Sequence, residues 1–136
     1  MKYPEKESSI LEFKRELPSK QQVNKTIVAF CNMHGGKLIV GVEDSGEIIG
    51  ISEEEIDETM ENLHRSAYSN CSPTVIPSIH LQRIHNKLVL IIEVSEGMTK
   101  PYFITSDTIE NGTYVRIGTQ TVKATPEMIR ELQWQS

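Results

Sequence analysis

The fold class of this 136-residue chain is decided by the stretch Thr26-Ile-Val-Ala-Phe-Cys-Asn-Met-His-Gly-Gly-Lys-Leu-Ile-Val-Gly-Val-Glu-Asp44. Its first half continues an apolar stripe at i, i+4 and i+7, formed by Val23, Ile27 and Phe30, which predicts one buried face of a helix. The Gly-Gly pair ends that helix, and the mostly apolar run Lys37–Val42 is typical of an interior strand. We therefore predict a helix that packs on a central strand.

The residues before this stretch predict a first strand and the start of the helix. In residues 9–15, the two apolar side chains of Leu11-Glu-Phe-Lys14 face the core and the two charged side chains face away from it. Ser19 followed three residues later by Gln22 is a capping-box signature. The first helix is therefore expected to begin just after the first strand.

The residues after this stretch alternate between strand and helix patterns. Glu47–Ile51 is predicted to return as a hairpin partner, and Ser52 with Glu55 forms a second capping box. The second helix is predicted to have a buried stripe formed by Ile56, Met60, Leu63 and Ala67. Loops are predicted over 69–77 and 95–101, and strands over 79–84, 88–94, 102–104 and 113–117. A last helix is predicted to begin at Thr125-Pro126, with Met128, Ile129 and Leu132 inward. This order predicts one α+β domain over residues 1–136, with about three helices around one mixed, mainly antiparallel sheet.

Charge is distributed unevenly along the chain. The net charge is −5, but residues 43–61 hold nine acidic and no basic residues, so the rest carries ten acidic and fourteen basic residues. A basic surface outside the acidic segment is therefore compatible with the composition, and so is a nucleic-acid partner. The acidic helix that begins near Ser52 is equally compatible with a protein partner.

Several classes of protein are disfavoured. No apolar run approaches the ~20 residues that a membrane span needs, and the N-terminus lacks the apolar core of a signal peptide. Cys31 and Cys71 are isolated, so we expect free, reduced, partly buried thiols and a cytoplasmic protein without membrane partners. Trp134 is costly to leave exposed, so we expect it to pack back on the domain or to be covered in a longer protein.

Three carboxylates are candidate catalytic and metal-binding residues. Glu7 and Glu12 meet if residues 7–9 bend, and Asp44 lies just after the central strand. Such oxygen ligands suit Mg²⁺ or Mn²⁺, which could activate water for phosphodiester cleavage. The alternative is structural: Glu7 caps a turn, Glu12 pairs with a lysine, and Asp44 forms an Asx turn.

Five cations are candidate phosphate contacts. Arg116 is followed by threonines and Lys123, a combination of a forked cation with hydroxyl donors. Lys14, Lys37 and Lys100 could extend this edge. The alternative is that Arg116 pairs with an acid inside the fold.

Other sites are not predicted. Gly35-Gly36-Lys37 lacks the spacing of a P-loop or a dinucleotide fingerprint, so we expect no nucleoside triphosphate site in this segment. The four histidines show no metal-ligand spacing with the cysteines, so a structural zinc is not expected.

Four stretches taken in order resemble the Schlafen AlbA-2 domain family. They are Glu7-x4-Glu12-Phe-Lys14, Ala29-Phe-Cys-Asn32-x2-Gly35-Gly36-x-Leu-x2-Gly41-Val-x-Asp44, Lys100-Pro-Tyr-Phe103, and Tyr114-Val-Arg116-Ile-Gly118-x2-Thr121-x2-Ala124. The resemblance implies a lobe like the Schlafen core and a DNA-binding module of prokaryotic transcriptional regulators, here the N-terminal module of a longer protein. It also implies a second role, because some animal Schlafens cleave tRNA and rRNA with three metal-binding carboxylates that align with Glu7, Glu12 and Asp44.

These observations leave three hypotheses. The first is a nucleic-acid-binding domain, for DNA or RNA. The second is an endoribonuclease that depends on Mg²⁺ or Mn²⁺, with no cofactor otherwise expected. The third is a dimerisation or partner-binding module. The Schlafen core contains two such lobes, so a single lobe is expected to form a homodimer if it is to resemble that core.

Overall fold

A four-stranded mixed sheet lies at the centre of the computed structural model, which describes residues 1–54 and 56–136. Its strands are ordered β1-β2-β5-β4, with β1 parallel to β2 and the other neighbours antiparallel. Their bounds are Leu11–Lys14 for β1, Gly36–Val40 for β2, Ser78–Ile84 for β4 and Lys87–Val94 for β5. The apolar sequence of β2 is explained by its position between two neighbours and two covered faces.

Three long helices and one short helix accompany the sheet in the described residues. They are α1 (Lys20–Asn32), α2 (Ile56–Asn70), α3 (Ile109–Gly112) and α4 (Pro126–Gln135). Side-chain caps stabilise the N-termini of α1 and α4. Ser19 Oγ accepts the Gln22 N–H at 3.2 Å, and Thr125 Oγ1 accepts the Met128 N–H at 3.2 Å. The predicted α+β class, the Ser19 cap of the first helix and the start of the last helix at Pro126 are confirmed.

The strands outside the central sheet form two small ribbons. One pairs β3 (Cys71–Ser72) with β6 (Phe103–Ile104), and the other pairs β7 (Tyr114–Ile117) with β8 (Gln120–Lys123). The prediction of one sheet is therefore wrong for this part of the chain. The β7–β8 turn has only two residues, and Gly118 adopts φ +59° there, a conformation that glycine tolerates without steric cost.

Two apolar layers cover the faces of the central sheet. The α1 and α2 side contains Leu38 and Val40 from β2, together with Phe30 and Leu63 from the helices. The opposite side contains Leu11, Phe13, Ile39, Val89 and Ile91, with Tyr3 packing edge-on against Phe13 at 5.4 Å between ring centroids. The predicted orientation of Leu11 and Phe13 is confirmed.

A third, smaller apolar cluster holds α4 against the β7–β8 ribbon. It consists of Val115, Ala124, Ile129 and Leu132, with Met128 partly buried beside them. Ile129 and Leu132 are inward as predicted, so α4 and the ribbon are fixed to one another.

Other boundaries differ from the predictions. Helix α1 ends at Asn32, before Gly35, and Glu47–Ile51 makes two isolated bridges, Lys2 with Glu47 and Val42 with Ile48, in place of a regular strand. The predicted loop over 69–77 contains the end of α2 and strand β3. The capping role of Glu55 lies outside the described residues.

The predicted burial was right for some side chains and wrong for others. Leu63 and Ala67 are buried, whereas Ile56 and Met60 are half-buried. Trp134 does not pack back on the domain, since it is 89% exposed. Cys31 and Cys71 are free and buried, and burial raises the pKa of both thiols to about 12.

Within the described residues, no helix is long and apolar enough to span a membrane.

Candidate nucleic-acid interface

A polar cleft of about 490 Å³ opens where β1 ends, α1 begins and the β7–β8 turn projects. We call it the polar cleft; its lining residues are Glu7, Glu12, Phe13, Lys14, Gln22, Asp44, Thr119, Gln120 and Thr121. The parallel pairing of β1 with β2 explains the convergence, because the carboxyl ends of both strands then lie at the same edge. All three predicted carboxylates thus line one cleft.

A buried arginine lies behind the cleft and contacts two of its lining residues, Glu12 and Thr121. The Arg116 guanidinium is fully buried and forms a salt bridge and hydrogen bond with Glu12. It also donates to Thr121 Oγ1 at 3.1 Å and to the backbone carbonyls of Ser8 at 2.9 Å and Ser9 at 3.3 Å. We call these residues, together with Phe30, whose ring centroid lies 5.0 Å from the Arg116 Cζ atom, the arginine cluster.

The arginine cluster connects segments that are distant in sequence. Arg116 belongs to β7, whereas Glu12 belongs to β1 and lies 104 residues earlier. The bend at Ser8 and Ser9 is held by the same guanidinium, which places Glu7 beside β1. Arg116 was a candidate phosphate contact. In the structure it instead makes the alternative pairing with an acid, and it has no exposed surface to offer a ligand.

The other two carboxylates differ in their surroundings. Glu7 accepts a hydrogen bond from the backbone N–H of Phe13 at 2.9 Å, so it stabilises the bend before β1. Asp44 is exposed in the turn after β2, and in the described part of the chain it has no ion-pair partner within 4 Å. Glu7 and Glu12 therefore have structural contacts, whereas the Asp44 carboxylate is the most available of the three to a ligand.

This arrangement does not fit a preformed metal site. One oxygen of Glu12 binds Arg116, and the other lies 3.5 Å from the Lys14 ammonium. In residues 1–54 and 56–136, no group of three or more His, Cys, Asp or Glu side chains is arranged to hold a metal ion. The predicted metal ligands share a cleft without forming a coordination shell.

The predicted lysine contacts lie at separate places. Lys14 lines the polar cleft with 41% of its side chain exposed, and Lys123 is exposed on β8, where it donates to Asn111 at 3.0 Å. Lys37 lines a different cleft of about 440 Å³, at the opposite end of β2. Lys100 is buried and bound to Glu96 at 2.7 Å and to the side chain of Gln135 at 3.1 Å. Only Lys14 among these lysines lines the polar cleft.

Two side chains of the polar cleft were not predicted as functional. Gln22 had been considered only as a capping residue, and Gln120 had no assigned role. The signal that could have found Gln120 is the two-residue turn at Gly118, which forces the chain after β7 to return beside it.

Asn32 positions the ribbon that forms one wall of the cleft. Its amide donates to the carbonyls of Tyr102 and Tyr114, both at 2.8 Å, and its oxygen accepts the Tyr102 N–H at 2.6 Å. It thus ties the end of α1 to the start of β7. Local sequence patterns cannot predict this role, because the partners of Asn32 lie 70 and 82 residues away.

Comparisons with known proteins agree with this architecture. The profile of the family described as Schlafen, AlbA_2 matches residues 7–125. No curated protein has a matching sequence. Among solved structures, the N-terminal domain of a DNA helicase RecG-related protein from Nitrosomonas europaea is similar, with 26% identity and a TM-score of 0.61 over 88% of this chain and 85% of that one.

A second similar structure is that of the DIP2311 protein from Corynebacterium diphtheriae. Its identity to this chain is 23% and its TM-score is 0.66, over 92% of this chain. The chain spans 24% of the DIP2311 chain, so that likeness concerns the fold of one part of it. Because the family profile covers most of the sequence, the chain belongs to the Schlafen AlbA_2 family.

Proposed function

We propose that this domain binds nucleic acid through the polar cleft. The observation that carries the proposal is the convergence of side chains from separate parts of the family match, Glu7 to Lys14, Asp44 and Thr119 to Thr121, on one cleft. The family and the helicase-related neighbour both support a nucleic-acid-related role.

The side chains of the polar cleft are better suited to bind the bases and sugars of a nucleic acid than its phosphates. The lining residues include one cation, Lys14, and the carboxylates of Glu7, Glu12 and Asp44, while the buried Arg116 behind them is bound to Glu12. The cleft therefore has no excess positive charge, and phosphate contacts alone cannot give tight binding. Amide and hydroxyl groups of the cleft can pair with base edges and sugar hydroxyls.

We further propose that the domain acts as the N-terminal module of a longer transcriptional regulator. An isolated domain with this charge balance is expected to bind weakly, with a dissociation constant above about 1 μM at physiological salt. A second module in the same chain would raise the effective affinity by linking two weak contacts.

The proposal is tested by anisotropy titrations of labelled single-stranded DNA, duplex DNA and tRNA. We expect Lys14→Ala, and separately Gln120→Ala, to weaken binding about three- to tenfold, the loss of one polar or charged contact. Lys37→Ala and Arg65→Ala are the matched controls, because neither side chain lines the polar cleft. Equal losses in Lys14→Ala and Lys37→Ala would place the binding surface elsewhere.

A second candidate function is metal-dependent cleavage of RNA, which the convergence of Glu7, Glu12 and Asp44 supports; it requires Glu12 to give up its contacts with Arg116 and Lys14. Incubation of the chain with tRNA and Mn²⁺, beside an EDTA control and Glu12→Gln, separates the two functions. Binding without cleavage supports the first proposal. Cleavage that is lost both with EDTA and with Glu12→Gln supports the second.

A further inference from the structure

The outer face of α4 carries a stripe of four exposed residues on the side opposite its buried face. They are Glu127, Arg130, Glu131 and Trp134, which succeed one another at helical spacing and line a shallow depression of about 520 Å³. We call them the α4 stripe. Trp134 is 89% exposed, the highest exposure among the large apolar side chains of the described residues.

The α4 stripe is held rigidly in place. Ile129 and Leu132 anchor the inner face of the helix, and the side chain of Gln135 accepts a hydrogen bond from the buried Lys100 at 3.1 Å. A preorganised helix face loses little conformational entropy when a partner binds it.

The charges of the α4 stripe indicate which kind of partner can bind it. In the described part of the chain, neither Arg130 nor Glu131 has an ion-pair partner within 4 Å. If two α4 helices pack antiparallel about a two-fold axis between these residues, Arg130 of each copy faces Glu131 of the other, and Glu127 faces Trp134. The Arg130–Glu131 pair is therefore complementary to the same pair of a second copy, as an isologous interface requires.

A nucleic-acid partner is disfavoured at this surface. An exposed tryptophan beside an arginine can stack on bases, but Glu127 and Glu131 flank both side chains and repel phosphates. We propose that the α4 stripe is a homodimerisation surface on which two copies of this chain pack antiparallel, with Arg130 paired to Glu131 of the second copy.

The area of four residues per copy is small, so the dimer is expected to be weak and to form at high micromolar concentration. Sedimentation velocity over a concentration series measures it. Trp134→Ala should weaken association at least about tenfold, because Trp134 is the one large apolar side chain of the α4 stripe. Gln133→Ala, an exposed residue on α4 outside the stripe, is the matched control and should leave the mass distribution unchanged.

Charge reversal tests the orientation of the two helices. Arg130→Glu and Glu131→Arg should each weaken self-association by roughly tenfold, because both symmetric pairs become repulsive. An equimolar mixture of these two variants, and also the double variant, should associate like the wild type. Circular dichroism confirms that these surface substitutions keep the fold.

Three results would overturn the proposal. One is a wild-type chain that remains monomeric at about 1 mM, above the high micromolar range in which a small, weak interface is expected to form. Another is a dimer that is insensitive to both charge reversals. The third is a Trp134→Ala variant that loses nucleic-acid affinity at concentrations where the chain is monomeric, which would make the stripe a nucleic-acid contact.

Discussion

Two groups of charged residues, the arginine cluster and the pair of Lys100 with Glu96, use their cations differently. In the arginine cluster, Arg116 and Glu12 are both buried, and each guanidinium nitrogen has a partner within the fold. In the other group, Lys100 is buried, but Glu96 is 46% exposed and its second partner, His34, is 72% exposed. The first cluster is part of the interior, whereas the second is a surface ion pair with one buried stem.

The two buried cations of these groups differ from the cations that a ligand could reach. Both Arg116 and Lys100 were candidate phosphate contacts, and both are engaged inside the molecule. A ligand in the polar cleft would therefore meet Lys14 and the amide and hydroxyl groups, with Arg116 acting behind them as a positioning residue for Glu12 and the Ser8 bend.

The largest expected effect comes from removing the buried guanidinium. Arg116→Ala leaves the Glu12 carboxylate buried without its partner and frees two backbone carbonyls, so we expect a loss of about 3–5 kcal/mol in the free energy of unfolding. Guanidinium chloride denaturation measures it. A double variant, Arg116→Met with Glu12→Gln, removes the buried charge together with its partner and should lose less. A single-variant loss below about 1 kcal/mol would show that the cluster is not a structural element.

A smaller effect is expected at the pair of Lys100 with Glu96. Lys100→Met keeps the apolar stem of the side chain and removes only the contacts to Glu96 and Gln135. Because Glu96 remains half in water, the loss should be a small fraction of that for Arg116→Ala. Thermal unfolding of both variants in one buffer gives the comparison, and similar losses would contradict the distinction between the clusters.

The smallest effect is a change in the titration of Glu96. The hydrogen bond and charge of Lys100, followed by those of His34, lower the pKa of Glu96 below its ordinary value of 4.5. Its contribution to stability is therefore present above pH 4.5 and is lost as the pH falls through the lowered pKa. Carboxyl chemical shifts should show a midpoint below 4.5 in the wild type and a higher midpoint in Lys100→Met. An unchanged midpoint in that variant would show that Lys100 does not lower the pKa of Glu96.

Local signals predicted much of the fold. The alternation in β1, the Ser19 cap and the proline at the start of α4 are each set by residues within one turn or one strand, and each is confirmed. Strand β8 was missed, because Gln120-Thr-Val-Lys123 is mostly polar and its pairing depends on the turn at Gly118. The short ribbon of β3 with β6 has two residues a side, too few for a pattern.

Local signals likewise predicted only part of the candidate site. The proximity of Glu7, Glu12 and Asp44 could be predicted from the sequence, because Glu12 lies on β1, Glu7 lies just before it and Asp44 lies just after β2. The sequence could not decide whether Arg116 faces a ligand or an acid, because that depends on Glu12, 104 residues away. The role of Asn32 depends likewise on distant carbonyl groups.

The most direct test of the central claim is an amide chemical-shift titration of the isotope-labelled chain with a short single-stranded oligonucleotide. If the polar cleft binds nucleic acid, the largest shifts fall at Lys14, Gln22, Asp44 and residues 119–121, and Lys14→Ala reduces them. Shifts centred on α2, on α4 or around Lys37, with the polar cleft unmoved, would contradict the assignment of the interface.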